Sequence, residues 1–436
     1  MKRWLGGLRR ASVTTALSGF GAQAILIISG VLVARLLPVD DRGQLALIGL
    51  LPIIICQLGG LGIPLAVTYE LARRPTSARA VAAVLVGVMP LQALVLVLVH
   101  VGVLIVLFRD DGETVRVAAL LSIPAVPALL YQQVGLGILQ GQQRFTAFNV
   151  QRLLPVAAYA AVLLVVALGG FGDLVACAVG WTGAWIVAGA TTMRTALRGL
   201  RNVEANGDVK RREFFRFGRR GVLGAVFPVE AFQLDQLIVG IVFPPAALGF
   251  YVVAVALTNL PRFVAQSVGM IAYPRIAAAV DRGAAMRALQ RYFVVALALC
   301  APIVVGLEMT VGWLIPFFFG PQYAGAVPVA RVLLIGALFQ AARRVLADAA
   351  RGLGHPELGT AAEVSSWFVL VPALIILKPH GLEGIAVAMA LTYGASLAVL
   401  ILGVALKGGA RRQLPIPVSE MVAPEETPAA AGEIFT

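Results

Sequence analysis

An all-α integral membrane protein, with about twelve transmembrane helices in two six-helix pseudo-repeat bundles around a central cavity, is the architecture this sequence predicts. Three observations predict it. Apolar residues make up 59% of the 436 and charged residues only 13%, about half the share of roughly 25% usual in a soluble domain. Apolar stretches of at least about 18 residues recur along the chain, each long enough to cross a hydrocarbon layer of about 30 Å at 1.5 Å per residue. Lysine and arginine collect in alternate connecting segments, as membrane topology requires. Lipid offers no partner to an exposed peptide group, so the stretches must be helices.

The first apolar run follows Lys2, Arg3, Arg9 and Arg10 and continues to about Leu37, past the length of about 7–15 residues expected of a signal-peptide core. It reads as an uncleaved first span. The spans are placed at roughly 13–37, 43–63, 80–107, 116–140, 147–168, 172–193, 218–243, 247–272, 290–316, 326–350, 358–377 and 382–406. With this numbering, 28 of the 35 basic residues fall on the side of the N-terminus and six (Arg35, Arg42, Arg109, Arg116, Arg331, Lys378) on the other. A miscounted helix would invert the bias beyond it, so the asymmetry supports the span count of a multi-pass membrane protein and a cytoplasmic placement of both termini; the membrane is expected to be a bacterial cytoplasmic membrane.

The longest polar break divides the chain. Residues 1–193 are expected to form a first six-helix bundle, 194–216 a cytoplasmic linker loop, 217–407 a second bundle, and the proline- and glutamate-bearing tail 408–436 a disordered cytoplasmic segment. The halves read as repeats. Pro38 precedes Gly43 by five residues and Pro244 precedes Gly249 by five, each 206 residues after its counterpart, while Gln140-Gly141 and Arg351-Gly352 recur at 211. Six-span copies share one membrane orientation and are related by an axis along the membrane normal, an arrangement used by transporters.

Composition and motifs narrow the chemistry. The net charge of +13 is accounted for by topology, and no basic stripe with interleaved aromatics calls for a nucleic-acid partner. Cys56, Cys177 and Cys300 stand alone in apolar stretches without CxxC spacing, and His100, His355 and His380 are far apart, so neither a disulfide framework nor a metal site is expected. The GxxxxGK[ST], HExxH and GxSxG patterns do not occur. No cofactor and no enzymatic activity are expected. The short outer loops leave little room for the catalytic groups of a membrane glycosyltransferase or polymerase.

What remains are ionisable residues within spans, each costing at least about 2.5–3.5 kcal/mol at the bilayer centre unless paired or wetted. Arg262, after Pro261, is the sharpest: guanidinium is a two-pronged partner for phosphate or pyrophosphate. Its alternative is an internal salt bridge to Glu230 or Asp235. Those two acids lie about 140° apart around one helix, so each needs its own partner, and Asp235 is read either as an arginine's partner or as a proton or cation site. Arg343, Arg344 and Asp348 form a candidate ion-pair or gating group. Arg344 with Asp348, and Asp348 with Arg351, can pair along one helix face. Arg35, beside Leu36-Leu37-Pro38 and near Asp40, is a substrate or loop-fixing candidate. Prolines 52, 90, 124, 127, 155, 228, 261 and 302 inside spans fit bent helices.

Several segments, in order, resemble the polysaccharide-flippase branch of the multidrug, oligosaccharidyl-lipid and polysaccharide exporter superfamily. They are Ala34-Arg35-Leu36-Leu37-Pro38 with Arg42-Gly43; Leu234-Asp235-Gln236 with Ala247-Leu248-Gly249-Phe250-Tyr251; Tyr273-Pro274-Arg275-Ile276; and Phe319-Gly320-Pro321-Gln322-Tyr323-Ala324-Gly325-Ala326. The resemblance covers nearly the whole chain to about Lys407. It implies two bundles around a cationic cavity accepting undecaprenyl-pyrophosphate-linked oligosaccharide, with polysaccharide polymerase and glycosyltransferases as partners. Arg262 matches a position where such proteins often carry cavity charge. The chain departs from the pattern in lacking further lysines or arginines deep in its spans. The alternatives are a cation-coupled drug or metabolite antiporter of the same superfamily, dependent on acids such as Asp235, and a non-transporting membrane scaffold.

Overall fold

The computed structural model describes residues 21, 23–201, 212–218, 233–277, 279 and 281–407. Glu230 and the tail 408–436 lie outside the described residues. Among the described residues, fifteen α-helices run in order as α1 (Gln23–Leu36), α2 (Val39–Gly59), α3 (Ile63–Arg73), α4 (Ala78–Leu107), α5 (Glu113–Leu121), α6 (Ala125–Gly141), α7 (Phe145–Gly169) and α8 (Leu174–Arg201). They continue as α9 (212–218), α10 (Leu234–Val242), α11 (Pro245–Ala277), α12 (Arg282–Phe319), α13 (Val327–Gly352), α14 (Pro356–Leu377) and α15 (Gly381–Lys407). No strand occurs among the described residues.

Among the described residues, nine helical segments are long and apolar enough to cross a membrane, and one of them, Glu357–Leu406, takes in most of α14 and α15. With α1 and α10, the described parts of two further spans, the helices accommodate the expected count of about twelve. Several elements outrun the expected boundaries. α12 spans 38 residues, well beyond 290–316, because its amphipathic first turns continue the helix from an Asp281 cap whose carboxylate accepts from the Ala284 amide at 2.7 Å. α8 extends through Arg201 and α9 is helical, so 194–201 and 212–216, expected as parts of a loop over 194–216, are helical, and 202–211 lie outside the described residues. Phe214, 4% exposed, enters the core of the first lobe, and Phe217 stacks on Tyr69 at 4.1 Å between ring centroids.

The repeats are mechanically unequal. In the first lobe the second span is broken between α2 and α3, where Leu61 and Gly62 take φ of 48° and 70°. Glycine is the residue suited to such a left-handed position. The fourth span breaks at Ser122–Pro124 between α5 and α6. In the second lobe α11 and α13 run unbroken.

Reciprocal contacts confirm the repeat spacing. A Cβ on Gly43 would lie 1.8 Å from the Pro245 carbonyl oxygen, and one on Gly249 would lie 2.2 Å from the Val39 carbonyl oxygen. Each glycine thus receives the first residue of the other lobe's helix, Val39 and Pro245 being themselves 206 apart. Within the lobes, Gly141 meets Thr68 and Leu71, and Gly352 meets Tyr273 and Ile276.

One apolar core joins the lobes at the face bearing Pro38 and Pro244, including Leu37, Tyr251, Phe319 and Tyr323. Towards the face with the basic loops, the cores are separate, one in the first lobe and two in the second. The joined end carries polar ties as well. Arg35 donates through Nε to the Phe318 carbonyl at 2.9 Å and through a terminal nitrogen to that of Phe317, satisfying carbonyls that the end of α12 leaves open. Tyr323 donates its hydroxyl to the Leu37 carbonyl at 3.3 Å.

Candidate functional site

The second lobe holds a small polar cavity within its spans. α10 starts at Leu234, with Asp235 in its first turn. α11 is apolar over most of its length, but Thr258, Asn259 and Arg262 fall within one turn of each other on one face. Gln340 of α13 and Tyr393 of α15 face them, enclosing a cavity of about 100 Å3. At about 30 Å3 per water, that is space for roughly three waters or one compact ionic group.

Asp235 Oδ2 accepts a hydrogen bond from the Tyr251 hydroxyl at 3.0 Å. Tyr251 is completely buried, so its donor is fixed on the carboxylate. Arg262 lines the same cavity and lies within electrostatic reach of Asp235. Beside it, the Cys300 thiol donates to the Pro261 carbonyl at 3.4 Å. All three cysteines are buried and free, and among the described residues no group of side chains is arranged to hold a metal ion. The cavity offers a guanidinium, a carboxylate and several neutral hydrogen-bonding groups on half-buried walls.

The remaining candidates lie elsewhere. Arg35 is engaged with the α12 carbonyls at the lobe junction, outside the cavity. Arg344 Nε sits 3.5 Å from Asp348 Oδ2, an ion-pair distance without hydrogen-bond geometry, and Arg351 donates to Asp348 Oδ1 at 3.1 Å. The Asp348 carboxylate occupies the space above Gly269, where a Cβ would come within 2.3 Å of it. Arg343 turns away from this pair to Glu363 on α14. Its guanidinium also lies 5.9 Å from the centre of the Tyr393 ring, a wall of the cavity.

Sequence reasoning confined to formal charges missed Tyr251, Gln340 and Tyr393, and it passed over Glu363 although that carboxylate lies within the span placed at 358–377. The polar residues interrupting α11 and α13 were the available signal. Arg42, counted with the outer segments, is instead 6% exposed inside α2, with Tyr159, Tyr323 and Cys177 near enough to interact electrostatically. Its Nε has no hydrogen-bond acceptor, and among the described residues no carboxylate pairs with it.

The sequence profile of polysaccharide biosynthesis proteins matches residues 32–328, most of the first lobe and the α10–α11 wall of the cavity. The chain belongs to this family. A curated relative, the uncharacterized membrane protein MJ1068 of Methanocaldococcus jannaschii, is 23% identical over 145 residues, covering 32% of this chain and 29% of that protein. Among solved structures, the fold is similar to the inward-facing conformation of a multidrug resistance MATE family transporter of the MOP superfamily. That match has a TM-score of 0.74 and 14% identity and covers 91% of this chain and 96% of the other. The inward closed conformation of the lipid II flippase MurJ gives 0.67 at 12% identity, covering 90% and 87%. An outward-facing MATE conformation gives 0.62 at 15% identity, covering 93% and 96%. The family member thus has the fold of this exporter superfamily.

Proposed function

We propose that this chain is a flippase that moves undecaprenyl-pyrophosphate-linked oligosaccharide from the inner to the outer leaflet of a bacterial cytoplasmic membrane by alternating access. The observation that carries the reading is the placement of Arg262 beside Asp235 in a polar cavity within the spans, in a polysaccharide-biosynthesis chain. Arg262 holds the pyrophosphate through its forked donors, the polyprenyl chain stays in lipid, and spans 1, 2, 7 and 8 line the path. The cavity of about 100 Å3 is far below the roughly 300–1,000 Å3 of a drug-sized ligand site, so the sugar lies between the lobes and only the charged group reaches the cavity. Glycosyltransferases supply the substrate and a polymerase consumes it.

Complementation of a flippase-null strain tests the reading. Each charge-assisted hydrogen bond is worth about 1.5–3 kcal/mol, so Arg262→Ala is expected to weaken substrate engagement by at least about tenfold and to leave lipid-linked sugar accumulating inside. Arg262→Lys, which keeps the charge but not the fork, should rescue in part. Full complementation by Arg262→Ala would remove the residue from the mechanism. The Tyr251–Asp235 hydrogen bond and the small cavity favour a second reading, a cation-coupled antiporter with Asp235 as the ion site. Export of organic cations that depends on Asp235 and not on Arg262, without lipid-linked sugar accumulation in the knockout, would select it.

A further inference from the structure

A second cavity lies in the first lobe, away from Asp235 and Arg262. α6 and α8 run side by side and approach closely where Gly189 faces the Ala128 carbonyl and Gly135 faces Thr192, an added Cβ meeting them at 2.5 and 2.9 Å. Beside this seam is an open cleft of about 740 Å3. Its walls are mainly apolar, with Pro127, Ile186 and Ala190 among them, and its far end carries Arg194 and Arg198.

Three features fix the kind of occupant. The cleft follows α8 from Ile186 to Arg198, about 18 Å at 1.5 Å per residue, against about 15 Å for one leaflet of a 30 Å hydrocarbon layer. It is therefore one leaflet tall. Ile186 is 43% exposed and its neighbour Val187 50%, a surface suited to hydrocarbon. Arg194 and Arg198 stand one turn apart on one helix face, where like charges repel. Neither forms an ion pair among the described residues. Two guanidiniums without an ion-pair partner among the described residues, at the end of a leaflet-deep apolar cleft, call for an anion attached to hydrocarbon chains.

We infer that the α6–α8 cleft binds an anionic glycerophospholipid from the leaflet facing the basic loops. One chain lies along Ile186 and Ala190, and the phosphodiester lies between Arg194 and Arg198. The ring of Tyr131 forms part of the wall. The inference does not rest on the flippase reading.

Native mass spectrometry of the full-length protein in detergent, with phosphatidylglycerol and phosphatidylcholine of identical acyl chains, tests it. Wild type should retain one phosphatidylglycerol in preference to phosphatidylcholine. The double variant Arg194→Gln/Arg198→Gln should lose about thirtyfold in that preference, equivalent to about 2 kcal/mol at 1.4 kcal/mol per decade and about 1 kcal/mol per basic residue. Arg194→Lys/Arg198→Lys should retain most of it, which separates loss of charge from misfolding. Ala190→Trp, which fills the cleft, should remove the retained lipid while the protein keeps wild-type thermal stability. An unchanged preference in the glutamine pair, or an unchanged retained lipid in Ala190→Trp, would overturn the site. Selective displacement of phosphatidylglycerol by undecaprenyl phosphate, lost in the glutamine pair, would overturn the assignment of the occupant.

Discussion

Replacing Gly43 with alanine would put a methyl carbon 1.8 Å from the Pro245 carbonyl oxygen, where real contacts stay beyond 3.0 Å. The helices must separate by at least 1.2 Å at this point, the difference between those two distances. The obstacle is backbone, so no side chain can rotate away, and the cost belongs at the upper end of the usual overpacking range, about 3 kcal/mol. Alanine recovers about 1 kcal/mol of helix propensity over glycine. The net of about 2 kcal/mol acts against the joined arrangement of the lobes and shifts its equilibrium roughly thirtyfold. Spin labels at Asp110→Cys and Gln322→Cys, exposed positions on the two lobes, report the separation by pulsed dipolar spectroscopy, and the buried native cysteines stay unlabelled. The distance distribution is expected to move to longer values in Gly43→Ala. Gly249→Ala should shift it less, because its Cβ stands at 2.2 Å and needs only 0.8 Å of relief. A Gly43→Ala distribution that superimposes on wild type would refute the crossing as the closure point.

The ion pairs of α13 should rank by burial. Glu363→Ala removes the carboxylate that pairs with the 5%-exposed Arg343 and is expected to cost about 3–5 kcal/mol, read as a large fall in melting temperature in detergent, whereas Arg344→Ala removes a side chain 41% exposed and should cost no more than about 1 kcal/mol. Equal falls for the two would refute the ranking. Tyr251→Phe deletes the hydroxyl on Asp235 and should destabilise by about 1–3 kcal/mol, with a transport defect reproduced by Asp235→Asn; wild-type stability and transport in Tyr251→Phe would mean that the hydrogen bond does not support the site.

Periodicity, length and charge bias were sufficient to read the helices, because crossing lipid constrains all three at once. The Gly43 and Gly249 pair was visible as a repeat, although its cause, two backbones meeting across the lobe junction, needs coordinates. Spacing on one helix revealed the Arg344–Asp348–Arg351 ladder. It could not reveal Arg343–Glu363, whose members lie 20 residues apart on separate helices. Arg35 was equally opaque, since its acceptors are main-chain carbonyls 282 and 283 residues away, which carry no side-chain signature. The shared cavity of Asp235 and Arg262 was foreseen as one of several pairings, but Tyr251, on which the carboxylate's geometry depends, carries no charge to attract notice. The break after Gly59 was passed over because Leu61 is apolar like its neighbours, though its left-handed backbone interrupts the helix.

That interruption separates the two halves more than their common plan suggests. The first carries joints at Leu61–Gly62 and at Ser122–Pro124, while the corresponding rods of the second are single pieces. The duplicated design therefore has a built-in front and back, with the main-chain breaks of the second and fourth spans confined to the N-terminal copy.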